Sequence, residues 1–204
     1  MLFSSIPFLY YFLPAVLIAY FLAPQNLKNA VLLLFSLAFY GWGEPKLVFL
    51  MIFTIVLFYG CGLAIGRAGK QQWKKFWLWV SVAVSLGLLG VFKYADFLLE
   101  NLGAIPFLSF IKPIGVQLPV GILFYTFQSM SYIIDVYRGD SRVQKKFVNF
   151  GAYVAMFPQL IAGPIVRYGD IAKELNQRKL SLHHAAIGIR RFVAGFAKKI
   201  LIAN

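Results

Sequence analysis

One cysteine, two histidines and seven acidic residues are all that 204 positions offer to redox, metal or acid–base chemistry. Cys61 lies inside an apolar run, so a disulfide framework and a thiolate metal cluster are both excluded, and the residue reads as a small hydrophobe. His183 and His184 are neighbours that point to different helical faces. Neither has a histidine or carboxylate four residues away to complete a metal pair. They read as solvated interface residues, and no metal site is expected. There is no glycine-rich phosphate loop and no serine-centred nucleophile elbow. Charge is scarce as well: 13% of residues are charged and 60% are hydrophobic, with a mean hydropathy of +0.74. Soluble chains have about 25% and roughly 45–50% respectively, so water is not the main solvent of this chain.

What is present is a series of apolar runs near the roughly 17–25 residues that cross a bilayer, separated by short blocks that hold nearly all the charge. The runs are Ile6–Ala23, Ala30–Trp42, Leu47–Ile65, Phe76–Tyr94 and Gly115–Ile134, followed by an irregular apolar stretch over Phe147–Val166. They predict an all-α polytopic membrane protein with about five transmembrane helices, a re-entrant segment and an amphipathic C-terminal helix. A single membrane domain covers 1–204, without a repeat, low-complexity tract or soluble domain. The first run has no Lys or Arg before it and no small-residue cleavage site after it, so it reads as a retained helix and not a secretion signal. Ala30–Trp42 is short for a full crossing and has to borrow flanking residues or be covered by neighbours. The formal charge of +13 falls between apolar runs, not in one basic soluble domain. That argues against nucleic acid and for anionic lipid headgroups.

Basic residues are retained on the cytoplasmic side of a membrane. Lys28 follows the first run, Arg67, Lys70, Lys74 and Lys75 follow the third, and Arg138, Arg142, Lys145 and Lys146 follow the fifth. By contrast, Glu44 cancels Lys46 after the second run, and Asp96 and Glu100 balance Lys93 and Lys112 after the fourth. This alternation places the N-terminus outside. Phe147–Val166 should then cross outward, yet Arg167, Lys173, Arg178 and Lys179 after it form another basic block. A re-entrant segment removes the conflict. Pro158, Gly163 and Pro164 interrupt the run, and broken backbone at membrane depth is tolerated where protein or a wet cavity covers it. From Leu182 to Ala203 the residues Leu182, Ala186, Ile189, Val193, Phe196 and Ile200 recur at helical spacing, which predicts an interfacial or partly buried amphipathic helix. Ile200–Asn204 carry no stop signal, so the chain is expected to end in mid-element.

Two stretches carry polar groups at membrane depth. Within Pro119–Arg138, the residues Tyr125, Gln128, Tyr132 and Asp135 are spaced three, four and three apart, which stacks them on one helical face, with Ser131 nearby. Such groups normally face a bundle interior or a hydrated cavity. The face is either a helix–helix hydrogen-bond seam or the wall of a substrate path. The second stretch is FPQLIAGPIVR (Phe157–Arg167), where unwound turns would free backbone groups near Gln159 and Arg167 as a cavity lining does, or mark a simple kink.

Three blocks, LPVGILFYTFQSMSYIIDVYRG (Leu118–Gly139), FPQLIAGPIVR (Phe157–Arg167) and FAKKILIAN (Phe196–Asn204), resemble in that order blocks of the membrane-bound O-acyltransferase family. The nearest branch is the bacterial one whose members acetylate alginate or transfer D-alanine to teichoic acids. The opening MLFSSIPFLYYFLP and the GWGEPK turn (Gly41–Lys46) are similar to its alginate side. The resemblance covers essentially the whole chain but only about the N-terminal half of a typical member.

The resemblance implies a ring of helices around a funnel, in which a histidine acts as general base while an acyl group passes from a cytoplasmic donor to a hydroxyl on the outer side. That histidine normally stands in a Trp-His-x-Ser context downstream of the closing block. No such motif occurs here, so no catalytic residue is expected before Asn204, and His183 and His184 do not take the role. Gln128, Tyr132, Asp135, Gln159 and Arg167 match positions within family motifs, and with Tyr125 they are expected to line or support the cavity. The implied activity is acetyl transfer to an exported polysaccharide such as alginate, by a fragment inactive on its own. D-alanyl transfer to teichoic acid, a transporter or channel, and a non-catalytic secretion-complex subunit are the alternatives. No bound cofactor is expected, only a cosubstrate acyl donor, acetyl-CoA or an acyl carrier. The expected partners are the lipid bilayer, the polysaccharide acceptor and periplasmic or membrane acetylation proteins. A cysteine placed at Asp170 should react with an impermeant maleimide only from the cytoplasmic face; labelling from outside intact cells would reject the re-entrant topology.

Overall fold

The computed structural model describes residues 5–103, 115, 119–160, 166–178 and 181–202, and every regular element among them is helical. A π-helical turn at Phe8–Phe12 leads into α1 (Leu13–Leu22), followed by α2 (Lys28–Gly43), α3 (Val48–Arg67) and α4 (Gln71–Leu89). A second π-helical turn, Gly90–Tyr94, carries α4 directly into α5 (Ala95–Gly103). Then come α6 (Ile122–Arg138), α7 (Phe147–Ala155), α8 (Phe157–Leu160), α9 (Tyr168–Asn176) and α10 (Leu182–Leu201). Among the described residues two helices are long and apolar enough to cross a membrane, α3 with 20 residues and the α4–α5 rod with 32 residues over Gln71–Leu102. Phe8–Leu22 is a shorter apolar helix, and α2 and α6 have 16 and 17 residues.

The hub is α7, whose residues Asn149–Ala155 are all buried, with α2, α3, α6 and α9 around it. On α4, Trp73, Phe76, Trp79 and Leu86 are exposed while Ser81 and Ser85 are buried. On α3, Phe49, Phe53 and Val56 are exposed while Thr54 is buried. Each buried hydroxyl donates to a carbonyl one turn earlier: Thr54 to Leu50 at 2.8 Å, Ser81 to Trp77 at 2.9 Å and Ser85 to Ser81 at 2.8 Å. Apolar side chains outside and satisfied polar ones inside is the arrangement expected of a membrane protein.

Small residues let the backbones close up. A Cβ added to Gly62 on α3 would lie 2.8 Å from Tyr132 Cε1 on α6, and one on Gly66 would overlap the Val143 side chain.

Several boundaries differ from those expected. The fifth run starts as a helix at Ile122, seven residues later than Gly115, because Pro119 offers no amide hydrogen and Gly121 takes the left-handed N-cap position at φ +76°. α6 then ends in a Schellman motif: Gly139 adopts φ +88°, Asp140 N–H donates to the Asp135 carbonyl at 2.9 Å, and Gly139 N–H donates to Val136 at 3.2 Å. Asp96 and Glu100, expected in a connection, lie on α5, since ADFLLEN holds strong helix formers and no breaker. The break in Phe147–Val166 falls at Met156. Gly163 and Pro164, together with Leu118, Lys112, Lys179, Ala203 and Asn204, lie outside the described residues. The amphipathic helix begins at Leu182 as expected, where Ser181 Oγ accepts the His184 N–H at 3.2 Å.

Gly121 is constrained twice, by its positive φ and by the Leu160 carbonyl oxygen 2.5 Å from where a Cβ would stand. Gly121→Ala should therefore destabilise the protein by about 2–4 kcal/mol. Gly60→Ala, with nothing within 4 Å, should be close to neutral; thermal unfolding in detergent separates the two.

Candidate functional site at a broken helix

α7 cannot continue through Pro158, which has no N–H for the Val154 carbonyl and whose ring crowds that turn. The backbone leaves helical geometry at Met156, with φ −51° and ψ 109°, and resumes as α8 with Pro158 in its first turn, where proline is tolerated. Such a break frees carbonyls at the end of one helix and amides at the start of the next. Here both kinds are met by buried side chains. Gln128 Nε2 on α6 donates to the Tyr153 carbonyl at 2.9 Å, and Ser36 Oγ on α2 accepts the Phe157 N–H at 3.2 Å. The Tyr153 hydroxyl donates to the Val166 carbonyl at 3.0 Å and lies 3.3 Å from the Gln128 carbonyl, pinning the chain where it re-emerges. Gln128 Nε2 also reaches Gln159 Oε1 at 3.4 Å.

A second polar layer lies one turn along α6. The Tyr132 hydroxyl accepts the Gln144 N–H at 2.9 Å, and Gln144 Nε2 donates to the Tyr168 hydroxyl at 2.7 Å. The Tyr168 ring meets Tyr132 and Tyr153 edge-on, with centroids 5.1 and 5.3 Å away. Burial pushes the Tyr168 phenol above its ordinary value, so it keeps its proton at neutral pH. Beyond it, Asn29 Nδ2 donates to Asn149 Oδ1 at 2.7 Å and Asn149 Nδ2 to Asn176 Oδ1 at 3.1 Å, tying α2, α7 and α9 together.

On the other side of α8, a mostly apolar cavity of about 360 Å³ is lined by Leu13, Val16, Leu32, Phe157 and Leu175, with Gln159 in its wall. Amides and phenols can orient a substrate by hydrogen bonds, but none of them takes a proton from a sugar hydroxyl near neutral pH.

Over its whole length the chain is 44% identical to the probable alginate O-acetylase of Azotobacter vinelandii and 42% identical to that of Pseudomonas aeruginosa, covering 42% and 40% of those proteins. Along its entire length the chain is similar to the N-terminal part of alginate O-acetylase-like acyltransferases. A peptidoglycan O-acetyltransferase of Helicobacter pylori is 30% identical, again over the whole chain, which covers 45% of it. The chain thus spans less than half the length of these curated relatives. No family model matches it, and no solved structure matches it significantly.

The expected site residues fall into three places. Gln128 and Gln159 come together at the break, and Tyr132 stands one turn away, fully buried. Tyr125 is buried toward α2, edge-on to Tyr40 at 6.4 Å. The hydroxyls of Tyr40, Tyr125, Thr126 and Ser129 are buried without a hydrogen-bond partner among the described residues. Asp135 is half-buried near the end of α6, and Arg167 is exposed at the N-cap of α9; neither joins the glutamine pair. His183 and His184 are exposed, with His184 Nδ1 2.9 Å from Ser181 Oγ. Sequence reasoning missed Tyr153, Gln144, Tyr168 and Ser36. Asn149 and Tyr153, four apart in an apolar run, carry the same spacing signal that exposed the α6 stripe, whereas Gln144 and Ser36 carry none.

Replacing Gln128 by Leu leaves the Tyr153 carbonyl without its buried donor and should cost about 1–3 kcal/mol of stability. Gln159→Leu, whose amide caps no backbone group, should cost less. Equal unfolding midpoints for Gln128→Leu and the unaltered protein in detergent would remove Gln128 as the cap of this break.

Proposed function

We propose that this chain is part of a membrane O-acyltransferase that transfers acetyl groups to hydroxyls of an exported polysaccharide such as alginate. The observation that carries the reading is identity along the entire chain to proteins named alginate O-acetylases. The Helicobacter pylori relative, named a peptidoglycan O-acetyltransferase, favours acetyl over D-alanyl as the group transferred, and makes a peptidoglycan acceptor the second reading.

In this reading Phe8–Leu22, α2, α3, α4 and α6 are the five spans, the N-terminus lies outside, and α7–α8 enters and leaves from the cytoplasmic side. The acyl donor, acetyl-CoA or an acyl carrier, approaches from that side, while the polymer and its partner proteins lie opposite. Gln128, Tyr132 and Gln159 keep the broken helix open at membrane depth and line or support the passage. The general base is a histidine in the part of the longer protein outside this chain. Asp135 and Arg167, on elements that border the glutamine pair, orient the loops at the cytoplasmic mouth.

Expression of the full-length protein in an alginate-producing strain lacking its own O-acetylase should restore acetyl esters on the secreted polymer. Asp135→Ala and Arg167→Ala should each lower ester content several-fold at equal membrane expression. An unacetylated polymer with the unaltered protein present would overturn the acceptor assignment, and full acetylation by both variants would remove these residues from the reaction.

A further inference from the structure

At the C-terminal end of α3 lies a cavity of about 860 Å³ that the acyl-transfer reading does not use. Its walls change character along the helix. Tyr59 and Leu63 form one end, and Arg67, on the same face four residues beyond Leu63, forms the other with Arg142 and Lys145 from the α6–α7 connection. Among the described residues no acidic one lines it. Arg67, Arg142 and Lys145 are exposed, and no ion pair engages them among the described residues. Three cations that line one cavity without an ion pair repel one another, and Asp140 opens onto the neighbouring cavity and not this one, so the site favours an anion.

The connection is held in place there. The Tyr59 hydroxyl donates to the Lys145 carbonyl at 2.6 Å. Phe147 meets the Tyr59 ring edge-on with centroids 5.4 Å apart, and the absence of a side chain at Gly66 lets Val143 seat against α3. Because α3 is apolar and long enough to span a membrane, its last turn stands at the interface. Tyr59 lies roughly 12 Å deeper along the helix axis.

We propose that this cavity binds an anionic phospholipid, with its phosphate among Arg67, Arg142 and Lys145 and its acyl chains along Tyr59, Leu63 and Phe147. The cations recognise a phosphate monoester or diester, and the apolar depth beneath them fits a lipid in place of a soluble phosphate compound. Lysines at the start of α4 add to the attraction of the same membrane face but line no part of this cavity.

The full-length protein in neutral detergent, given phosphatidylglycerol or phosphatidylcholine and examined by native mass spectrometry, tests the site. The unaltered protein should retain phosphatidylglycerol at least about tenfold better than phosphatidylcholine, as three interfacial cations predict. The triple variant Arg67→Gln, Arg142→Gln and Lys145→Gln should lose that preference. The equally charge-depleted Lys70→Gln, Lys74→Gln and Lys75→Gln should keep it. Tyr59→Phe, which leaves every charge in place but frees the connection, should weaken retention several-fold. Equal losses in the two triple variants, or an unchanged preference in the first, would overturn the proposal. Displacement of the lipid by millimolar pyrophosphate would also overturn it, in favour of a soluble phosphate compound.

Discussion

A backbone amide or carbonyl set free inside a lipid-facing bundle has no water to turn to, and each one left alone costs several kcal/mol. The break between α7 and α8 creates such groups directly after the fully buried stretch Asn149–Ala155, and the helices around it meet them. Gln128 reaches across from α6 to a carbonyl of α7, and Ser36 reaches from α2 to an amide of α8. Both helices have to hold position closely for this to work. The close approach of α3 to α6 at Gly62 and the Asn29–Asn149–Asn176 ladder between α2, α7 and α9 hold them there.

This makes sense of why so apolar a chain keeps glutamines, serines and asparagines where aliphatic residues would pack more simply. The polar residues satisfy irregular backbone in the middle of a bundle of apolar helices, where regular helix is otherwise the rule. The glutamine pair has a second aspect. Gln159 belongs both to the hydrogen-bond network of the break and to the wall of the apolar cavity beside α1, so the network and the cavity share one flexible side chain.

Much of this was legible in the residues, and the reasons differ by element. The α6 stripe was visible because polar side chains at helical spacing in an apolar run have few tolerable environments, and Gln128 and Tyr132 are indeed buried. Pro158 announced a break, although the helix leaves its geometry two residues earlier, because proline disturbs the turn before it. α9 was hidden: YGDIAKELN is short and charged, and its pattern of Tyr168, Ile171, Ala172 and Leu175 gains meaning only from the α7 surface on which it packs. The run of α4 into α5 was obscured by reading Asp96 and Glu100 as a connection when charge alone does not stop a helix. Gln144 and Ser36 could not be found in advance. Their roles come from chain segments that are remote in sequence, and no local spacing encodes them.

The π-helical turn at Gly90–Tyr94 has a mechanical consequence for the α4–α5 rod. One surplus residue in a turn rotates everything after it by about 100° relative to an uninterrupted α-helix. The serine-bearing side that faces α3 and α6 therefore does not extend into α5, and the far end presents a differently oriented surface. At 32 residues the rod measures roughly 48 Å, well beyond the ~30 Å of a hydrocarbon core. It behaves like a mast with an offset: moored to the bundle along its first part, and turned beyond the π-helical turn toward a different side.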